Sequence, residues 1–257
     1  MTLSVLQLNI NADNFWDKLI AFLRTHQFDV LMLQEVTGKD TFSGNIHSKR
    51  DCFKELQKIL SATHQGELAV VERYTSSESS YVGQAIFYKR SFSLIEKTIF
   101  PLYQRDTPFP SDAKSFEDES RALLHVTLGT DDKRISFLNV HGAWAKTATE
   151  HPHQKVQGER LLSYLKNVHQ PFIFTGDLNL DPEQPTIKKI SQLARNLTEE
   201  YAVTNTLNPR THRARDVFPK GIAVDYIFTS PDIKVKNFKV LEDDLSDHLG
   251  LVAEVEV

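Results

Sequence analysis

The sequence predicts an α/β domain in which strands and helices alternate along one chain. The chain has 257 residues, of which 40% are hydrophobic, and this composition is enough to build one large core. Short apolar or alternating runs of strand length recur along it, and segments with apolar residues at helical spacing lie between several of them. No repeat, low-complexity tract or Gly/Ser linker divides the sequence. We therefore expect residues 1–257 to form a single domain.

The first quarter of the chain predicts two strands and two helices. An alternating run over 3–9 and a nearly continuous apolar run over 28–35 are typical of buried strands. Between them, apolar residues at helical spacing predict a helix capped by Asp13 or Asn14. Residues 36–50 are polar and predict a loop, and the apolar spacing of Phe53, Leu56 and Leu60 predicts a second helix.

The middle of the chain predicts mostly strands. Three runs, over 68–71, 82–88 and 92–100, have strand composition and are followed by a long loop over 101–119. Runs over 121–128 and 134–141 then predict a hairpin whose turn is 129–133.

The last part of the chain returns to alternation. Apolar spacing predicts helices around 161–168 and 187–193, and an apolar run predicts a strand that stops at Gly176 between them. After a basic loop over 209–220, the run 222–228 predicts a strand with Asp225 in its middle. Two further strands, over 233–240 and 249–257, complete the prediction.

Charge, cysteine content and hydropathy exclude several classes of protein. The formal net charge is −4, so no general positive field attracts nucleic acid, although a local basic surface is compatible with it. No run approaches the ~18 apolar residues that span a bilayer, and no basic segment followed by an apolar run opens the chain. Cys52 is the single cysteine and cannot form an internal disulfide. We expect a cytoplasmic monomer without stable membrane insertion.

Polar side chains of chemical interest stand at the ends of the predicted strands. Asn9, Glu35, His141, Asp177 and Asn179 each follow an apolar run, and Asp225, Asp247 and His248 lie in or beside later runs. A single member has an ordinary explanation, such as an Asx turn at Asp177 or a solvated strand end at Glu35. Together they supply hard oxygen ligands for Mg²⁺, a carboxylate for water and a carboxylate–histidine pair. This combination favours metal-assisted attack on a phosphoester.

Other chemistries lack their motifs in this sequence. There is no Cys/His spacing for structural zinc, no Gly-x-x-x-x-Gly-Lys phosphate loop and no Gly-x-Ser-x-Gly nucleophile turn.

Six short motifs in a fixed order resemble the endonuclease/exonuclease/phosphatase superfamily, which includes deoxyribonucleases, apurinic endonucleases, tyrosyl-DNA phosphodiesterases and neutral sphingomyelinases. They extend from residue 8 to residue 248, so the resemblance covers nearly the whole chain. The residues that carry it are Leu8 and Asn9; Leu33, Gln34 and Glu35; Asn139 and His141; Gly176, Asp177 and Asn179; Val224, Asp225 and Tyr226; Ser246, Asp247 and His248. The resemblance implies two β-sheets packed face to face as a sandwich and flanked by helices, with the site at one end.

The resemblance also implies a metal site. Glu35 is the expected principal ligand of Mg²⁺, with Mn²⁺ as a substitute, and Asn9 and Asp247 are expected near the ion.

The expected catalytic groups follow from the same resemblance. Asp177 orients or deprotonates water, and Asn179 holds a phosphate oxygen. Asp225 orients His248, and His141 is a second histidine that faces the phosphate. Some relatives place an acid behind this second histidine, and Glu72 is the nearest candidate in this sequence.

The substrate is less sharply indicated than the reaction. His141 favours a phosphodiester, with nucleic acid first and a phospholipid, sugar phosphate or inositol phosphate as alternatives; an inactive fold used as a binding module is a further alternative. Arg121 and Arg213 are candidate phosphate contacts, but an exposed strand-end arginine and a solvated loop explain them equally well. Trp144 is a candidate for stacking on a ring or for packing, and His151 and His153 are expected on the surface.

Overall fold

The computed structural model describes residues 1–43, 46–113, 117–130, 133–169 and 171–257. The predicted loops 36–50 and 101–119 and the predicted turn 129–133 therefore lie partly outside the described residues. The strands are β1 (Thr2–Asn9), β2 (Val30–Thr37), β3 (Thr41–Ser43), β4 (Ile46–Ser48), β5 (His64–Arg73), β6 (Tyr81–Lys89), β7 (Ser93–Tyr103), β8 (Arg121–Thr130), β9 (Lys133–His141), β10 (Phe172–Asp177), β11 (Arg195–Asn196), β12 (Asp225–Thr229), β13 (Lys234–Val240) and β14 (Leu251–Glu256). The helices are α1 (Trp16–Thr25), α2 (Cys52–Leu60), α3 (Pro152–Leu165), α4 (Pro185–Ser191) and α5 (Leu197–Glu200).

Two six-stranded sheets form the frame of the molecule. The first has the order β13-β14-β1-β2-β6-β5, and the second has the order β11-β12-β10-β9-β8-β7. Each sheet contains one parallel pair near its centre, β1 with β2 and β9 with β10. In each parallel pair the carboxyl ends of the two strands lie side by side. Two of the predicted motifs lie at these strand ends in each sheet.

The two sheets pack face to face across an apolar layer. Its side chains come from both sheets and include the fully buried Val5, Met32, Ile86, Phe137, Ile173 and Ile227. Burying one such side chain contributes about 1.5–3 kcal/mol, so this layer is a main source of the free energy that holds the sheets together.

Helices cover the outer face of each sheet. On the first sheet, α1 and α2 bury a stripe that includes Leu19, Leu23 and Leu56. On the second sheet, α3 and α4 do the same with Leu161 and Ile187 among their buried residues. The result is a four-layer α/β sandwich, and the predicted fold class is confirmed.

Several predicted boundaries were wrong. Helix α1 begins at Trp16 with Phe15 at its N-cap, so neither Asp13 nor Asn14 caps it. The segment predicted as a polar loop contains the small hairpin β3–β4. Asp225 is the first residue of β12 and does not lie in its middle, because β12 pairs only along the stretch that faces β10. In the described part of the chain, no helix is long and apolar enough to cross a lipid bilayer.

Candidate functional site

The predicted site residues meet at one end of the sandwich. Strand register brings the second sheet's members together, since Asp177 pairs with His141 on one side and with Asp225 on the other. In the first sheet, Asn9 at the end of β1 pairs with Gln34, directly before Glu35. Asp247 and His248 reach the same place from the segment before β14.

The backbone at two of these residues is in an unfavourable conformation. Glu35 and Asn179 both have a φ of 52°, in the left-handed region that residues with a side chain rarely adopt. At Glu35 the pairing of β2 with β6 shifts register between Leu33 and Val36, and such a bulge re-aims a side chain. At Glu35 the conformation costs about 1–3 kcal/mol, whereas Asn adopts it more readily than most residues.

Gly176 and Gly142 allow the strand ends to approach each other closely. A Cβ at Gly176 would lie 2.3 Å from the Val140 carbonyl oxygen, and one at Gly142 would lie 2.6 Å from the Leu178 carbonyl oxygen. A side chain at either position would therefore push β9 away from β10 and separate His141 from Asp177.

Asn9 connects the two sheets within the site. Its amide nitrogen donates to Glu35 Oε1 and to Asp177 Oδ2, at 3.0 Å in each case. Its amide oxygen accepts from the Asn11 N–H at 3.0 Å. Asn9 therefore fixes the distance between the predicted metal ligand and the predicted water-orienting acid, and would reach an ion only through the remaining lone pair of its oxygen.

His248 is held by Asp225. The Nδ1 atom of His248 lies 2.9 Å from Asp225 Oδ2, and its Nε2 atom lies 3.7 Å from Asp177 Oδ2. Burial by itself would lower the pKa of His248, but the charges of Asp225 and Asp177 and the hydrogen bond to Asp225 outweigh burial and raise it well above its usual value. The raised pKa favours the positively charged form of His248, and its Nε2 atom is the ring nitrogen that lies near Asp177.

His141 stands on the other side of Asp177. Its Nε2 atom lies 3.6 Å from Asp177 Oδ2 and 3.9 Å from Glu35 Oε1. Burial, together with the positive charges of Arg121 and His248, holds the pKa of His141 well below its usual value. The two imidazoles beside Asp177 thus have pKa values shifted in opposite directions, and each can face a different oxygen of a phosphoester.

Glu72 bonds to other partners. Its carboxylate accepts from the N–H groups of Arg73 and Ser120.

Two acids of the site have raised pKa values. Burial, followed by the charge of Asp247, raises the pKa of Glu35 to about 7. Burial, followed by the charge of Asp225, raises the pKa of Asp177 to about 6. Carboxylates crowded in this way suit a hard divalent cation. Among the described residues, the ligand atoms close enough together to hold one ion belong to two groups, and the predicted ligand Asp247 is in one of them whereas Glu35 is in neither. The groups are His212, Asp247 and His248, and Asp177, Asp225 and His248.

Metal affinity should therefore depend on pH. The Glu35 carboxyl must lose its proton to bind an ion, and its pKa of about 7 makes the proton a competitor below that pH. We expect Mg²⁺ to bind about tenfold more tightly at pH 8 than at pH 6, measured by calorimetry. Glu35→Gln should bind weakly at both values. Equal affinity of the unchanged protein at the two pH values would contradict the assignment of Glu35.

A cleft of about 470 Å³ opens onto these groups. One wall is apolar and includes Leu207, Phe218, Ile222 and Val224, and the exposed side chains of Trp144 and Val217 extend it. Arg213 and Lys146 add positive charge to the lining.

Three arginines near the site lie in different settings. Arg213 lines the cleft, whereas Arg210 lies on the surface and pairs with Asp244 at 2.7 Å. Arg121 also borders the cleft, but it is only 4% exposed and is paired with Glu119 at 2.9 Å. The alternative of an exposed strand-end arginine at Arg121 is therefore wrong, because the guanidinium is bonded to Glu119 and to the Gly142 carbonyl.

Sequence reasoning missed His212. Its ring packs edge-on against His248, with 5.5 Å between the ring centres, and its ligand atom lies within 4.8 Å of those of Asp247 and His248. Burial, then the charge of His248, lowers the pKa of His212. The signal available in the sequence was its position beside Arg213, in the basic loop that leads to Asp225. His151 and His153 were predicted on the surface; His151 caps α3, His153 lies in its first turn, and both are partly buried.

Comparisons with known proteins agree with this geometry. The model of the endonuclease/exonuclease/phosphatase family matches residues 6–248. No curated protein sequence matches the chain.

Three solved structures show the same fold. An endonuclease/exonuclease/phosphatase of Bacteroides vulgatus is 17% identical, with a TM-score of 0.73, 100% of this chain and 99% of that chain covered. The Bacteroides thetaiotaomicron mannosyl-6-phosphatase Bt3783 is 20% identical and has a TM-score of 0.67. The match covers 99% of this chain and 100% of that chain. D. rerio TDP2 complexed with a single-strand DNA product is 15% identical and has a TM-score of 0.71. The match covers 100% of this chain and 99% of that chain. Because the family model spans nearly the whole chain and its motifs meet at one end of the sandwich, this protein belongs to the endonuclease/exonuclease/phosphatase family.

Proposed function

We propose that this protein is a divalent-metal-dependent phosphodiesterase in which water attacks phosphorus. The observation that carries the proposal is the setting of one carboxylate oxygen. Asp177 Oδ2 has Asn9 Nδ2 at 3.0 Å, His141 Nε2 at 3.6 Å and His248 Nε2 at 3.7 Å. In this setting the Asp177 carboxylate can accept a proton from water, and the surrounding nitrogen groups can donate hydrogen bonds to an anionic phosphate beside it.

Mg²⁺ is the proposed cofactor, and Mn²⁺ is a proposed substitute. Glu35 and Asp247 would hold the ion, with Asn9 beside it. When bound, the ion supplies positive charge to a phosphate oxygen and lowers the energy of the transition state. Two buried acids with raised pKa values, Glu35 and Asp177, support this proposal, because a bound cation would stabilise their charged forms.

The chain's own residues would handle the protons. The pKa of Asp177, about 6, suits an acid that orients water and takes its proton near neutral pH. His248 would donate a hydrogen bond to a phosphate or leaving oxygen, and its charge would be held by Asp225. His141 and Asn179 would contact the remaining phosphate oxygens from the ends of β9 and β10.

A nucleic acid or nucleotide diester is the favoured substrate. The apolar wall of the cleft, with Trp144 and Phe218, suits a flat ring carried next to the phosphate, and Arg213 and Lys146 suit an anion. A sugar-phosphate monoester is the second candidate, because the similar fold of a mannosyl-6-phosphatase covers 99% of this chain. A hydroxyl-rich sugar would leave most of the apolar wall unused, so we place it second.

A panel of substrates tests the proposal. Single-stranded and duplex DNA, RNA, 5′-tyrosyl DNA, sphingomyelin, inositol phosphates and mannose 6-phosphate would each be offered with Mg²⁺ and with EDTA. We expect metal-dependent hydrolysis and a preference for a nucleotide-containing diester. Preference for the sugar phosphate would favour the second candidate, and hydrolysis of none would favour a binding module.

Arg213 should contribute to binding an extended anion. Arg213→Ala should raise KM several-fold for an oligonucleotide and leave the hydrolysis of bis(p-nitrophenyl) phosphate nearly unchanged, because the arginine lies outside the reacting groups. Arg210→Ala is the matched control, since Arg210 is paired with Asp244 away from the cleft. Equal losses for both variants, or for both substrates, would contradict this role. With a net charge of −4, binding should also weaken only slightly with salt.

A further inference from the structure

Four amide side chains lie buried between the two sheets, directly below the site. They are Gln7, Gln34, Gln84 and Asn139, and each is 0% exposed. The surrounding layer is apolar, and a buried amide is unfavourable there unless its polar atoms are hydrogen-bonded. Because apolar residues would fill the same space at no such cost, the position of these amides requires a specific cause.

Gln7 links this layer to the catalytic pair. Its Nε2 atom donates to Asp225 Oδ1 at 2.9 Å and to Gln34 Oε1 at 3.0 Å. Asp225 uses its other oxygen, Oδ2, for His248 Nδ1 at 2.9 Å. Each oxygen of the Asp225 carboxylate is therefore held by a different nitrogen, one from the first sheet and one from His248.

The orientation of the Gln7 amide is determined by its neighbours. If the amide were turned over, its oxygen would face Gln34 Oε1 and Asp225 Oδ1, which are both acceptors. In the observed orientation both N–H groups are used, and Gln7 Oε1 has no hydrogen-bond partner among the described residues. The chain thus keeps one unpaired buried oxygen in order to direct both donors of Gln7, and one of them goes to Asp225.

The remaining amides prevent Gln7 from relaxing. Gln34 Nε2 donates to Asn139 Oδ1 at 2.6 Å. Asn139 Nδ2 in turn donates to the carbonyl oxygens of Leu33 and Ala85, at 2.9 and 3.1 Å. Because this series ends on backbone groups of β2 and β6, no member can rotate without breaking a bond to the sheet.

We propose that Gln7 is a positioning residue for catalysis: it holds the Asp225 carboxylate in the orientation that aligns His248 with Asp177. The inference rests on the proposed function, in which His248 contacts the phosphoester. Gln7 itself touches no reacting atom. It acts on the reaction through Asp225, which is 0% exposed and has the acid Asp177 as its register partner.

The first test removes the donor and keeps the side-chain size. Gln7→Met should lower kcat for bis(p-nitrophenyl) phosphate by about tenfold or more and change KM less than twofold. The variant loses the orientation of Asp225 and His248 but keeps the groups that bind the substrate. Thr175→Val is the matched control, since Thr175 is also fully buried between the sheets and bonds weakly, at 3.5 Å, to Met32 Sδ and Asn139 Oδ1. The control should keep its kcat. A Gln7→Met variant with unchanged kcat would overturn the proposal.

A double-mutant cycle separates positioning from general structural damage. In an Asp225→Asn background, Gln7→Met should have little further effect on kcat, because the carboxylate on which Gln7 acts is gone. A tenfold loss in that background as well would mean that Gln7 acts independently of Asp225. If Gln7→Met does not fold, Gln7→Asn replaces it, since this variant keeps the amide but is one methylene too short to reach Asp225.

A spectroscopic measurement is independent of turnover. The His248 Nδ1 proton, shared with Asp225 at 2.9 Å, should give a downfield, slowly exchanging NMR signal in the unchanged protein. We expect Gln7→Met to lose this signal and Thr175→Val to keep it. If the protein hydrolyses none of the phosphoesters, the proposed function fails, but loss or retention of this signal still decides whether Gln7 holds Asp225.

Discussion

Glu35→Gln should reduce kcat/KM for a phosphodiester by about two to three orders of magnitude or more at ordinary Mg²⁺, with the fold intact. The substitution keeps the size of the side chain and its contact with Asn9 but removes the charged oxygen that a hard cation requires. Steady-state rates over a range of Mg²⁺ concentrations measure the effect. Near-normal turnover at low Mg²⁺ would contradict the role of Glu35 as a metal ligand.

The same substitution should stabilise the metal-free protein at pH 8. The pKa of Glu35 is raised to about 7, so its contribution to stability is present below the pKa of an unfolded glutamate and is lost as pH rises through about 7. At pH 8 the unchanged protein holds a buried carboxylate, whereas the variant holds a neutral amide. We expect the free energy of unfolding to rise by about 1–3 kcal/mol in the variant. Asp17→Asn, on the exposed face of α1, is a control that should show no such gain.

His248→Ala should lower kcat by about 10²–10⁴-fold, the range expected for a group that donates or accepts a proton in the transition state. Asp225→Asn should lower kcat somewhat less, because this substitution misorients His248 and weakens its positive charge but leaves the histidine in place. The double variant should resemble His248→Ala alone, since an acid that acts through the histidine has nothing left to position.

Rates of the two single variants and the double variant measure this coupling. Thermal unfolding of all three should be compared first, because Asp225 and His248 are both buried and a loss of fold would imitate a loss of catalysis. A double variant whose loss equals the product of the two single losses would show that Asp225 and His248 act separately.

The frame of the molecule could be predicted because strand periodicity and burial agree. The runs before Asn9, Glu35, His141 and Asp177 are apolar since both faces of β1, β2, β9 and β10 are covered, one by the other sheet and one by helices. A polar residue that ends such a run is therefore conspicuous in the sequence. The structure brings these strand-end residues together at one end of the sandwich.

The buried amides could not be predicted by the same reasoning. Gln7 and Gln84 interrupt apolar runs, and strand alternation assigns such residues to a solvated face. In the structure they face the other sheet, because they bond to Asp225 and to the Asn139 carbonyl across the interface. Periodicity gives the face of a residue relative to its own strand and contains no information about a partner 218 positions away in the chain.

The residues of the cleft wall could not be predicted from the sequence either. His212, Arg213 and Phe218 lie in a segment whose composition is that of a charged loop, with only a short 3₁₀ turn, Arg213–Asp216. Which of its side chains face the site depends on contacts made far away in sequence, such as the pairing of Arg210 with Asp244. Tertiary contacts of this kind have no local pattern.

The central claim is that water, assisted by a metal ion, attacks phosphorus, and one measurement tests it most directly. Hydrolysis of bis(p-nitrophenyl) phosphate would be followed in ¹⁸O-labelled water with Mg²⁺, and the products analysed by mass spectrometry, with EDTA in a parallel sample. The water oxygen should form the new bond to phosphorus while the bond from phosphorus to the leaving oxygen breaks. We therefore predict one labelled oxygen in the phosphate product, an unlabelled p-nitrophenol, and no turnover in EDTA. Label in the p-nitrophenol, or turnover that persists in EDTA, would contradict the account.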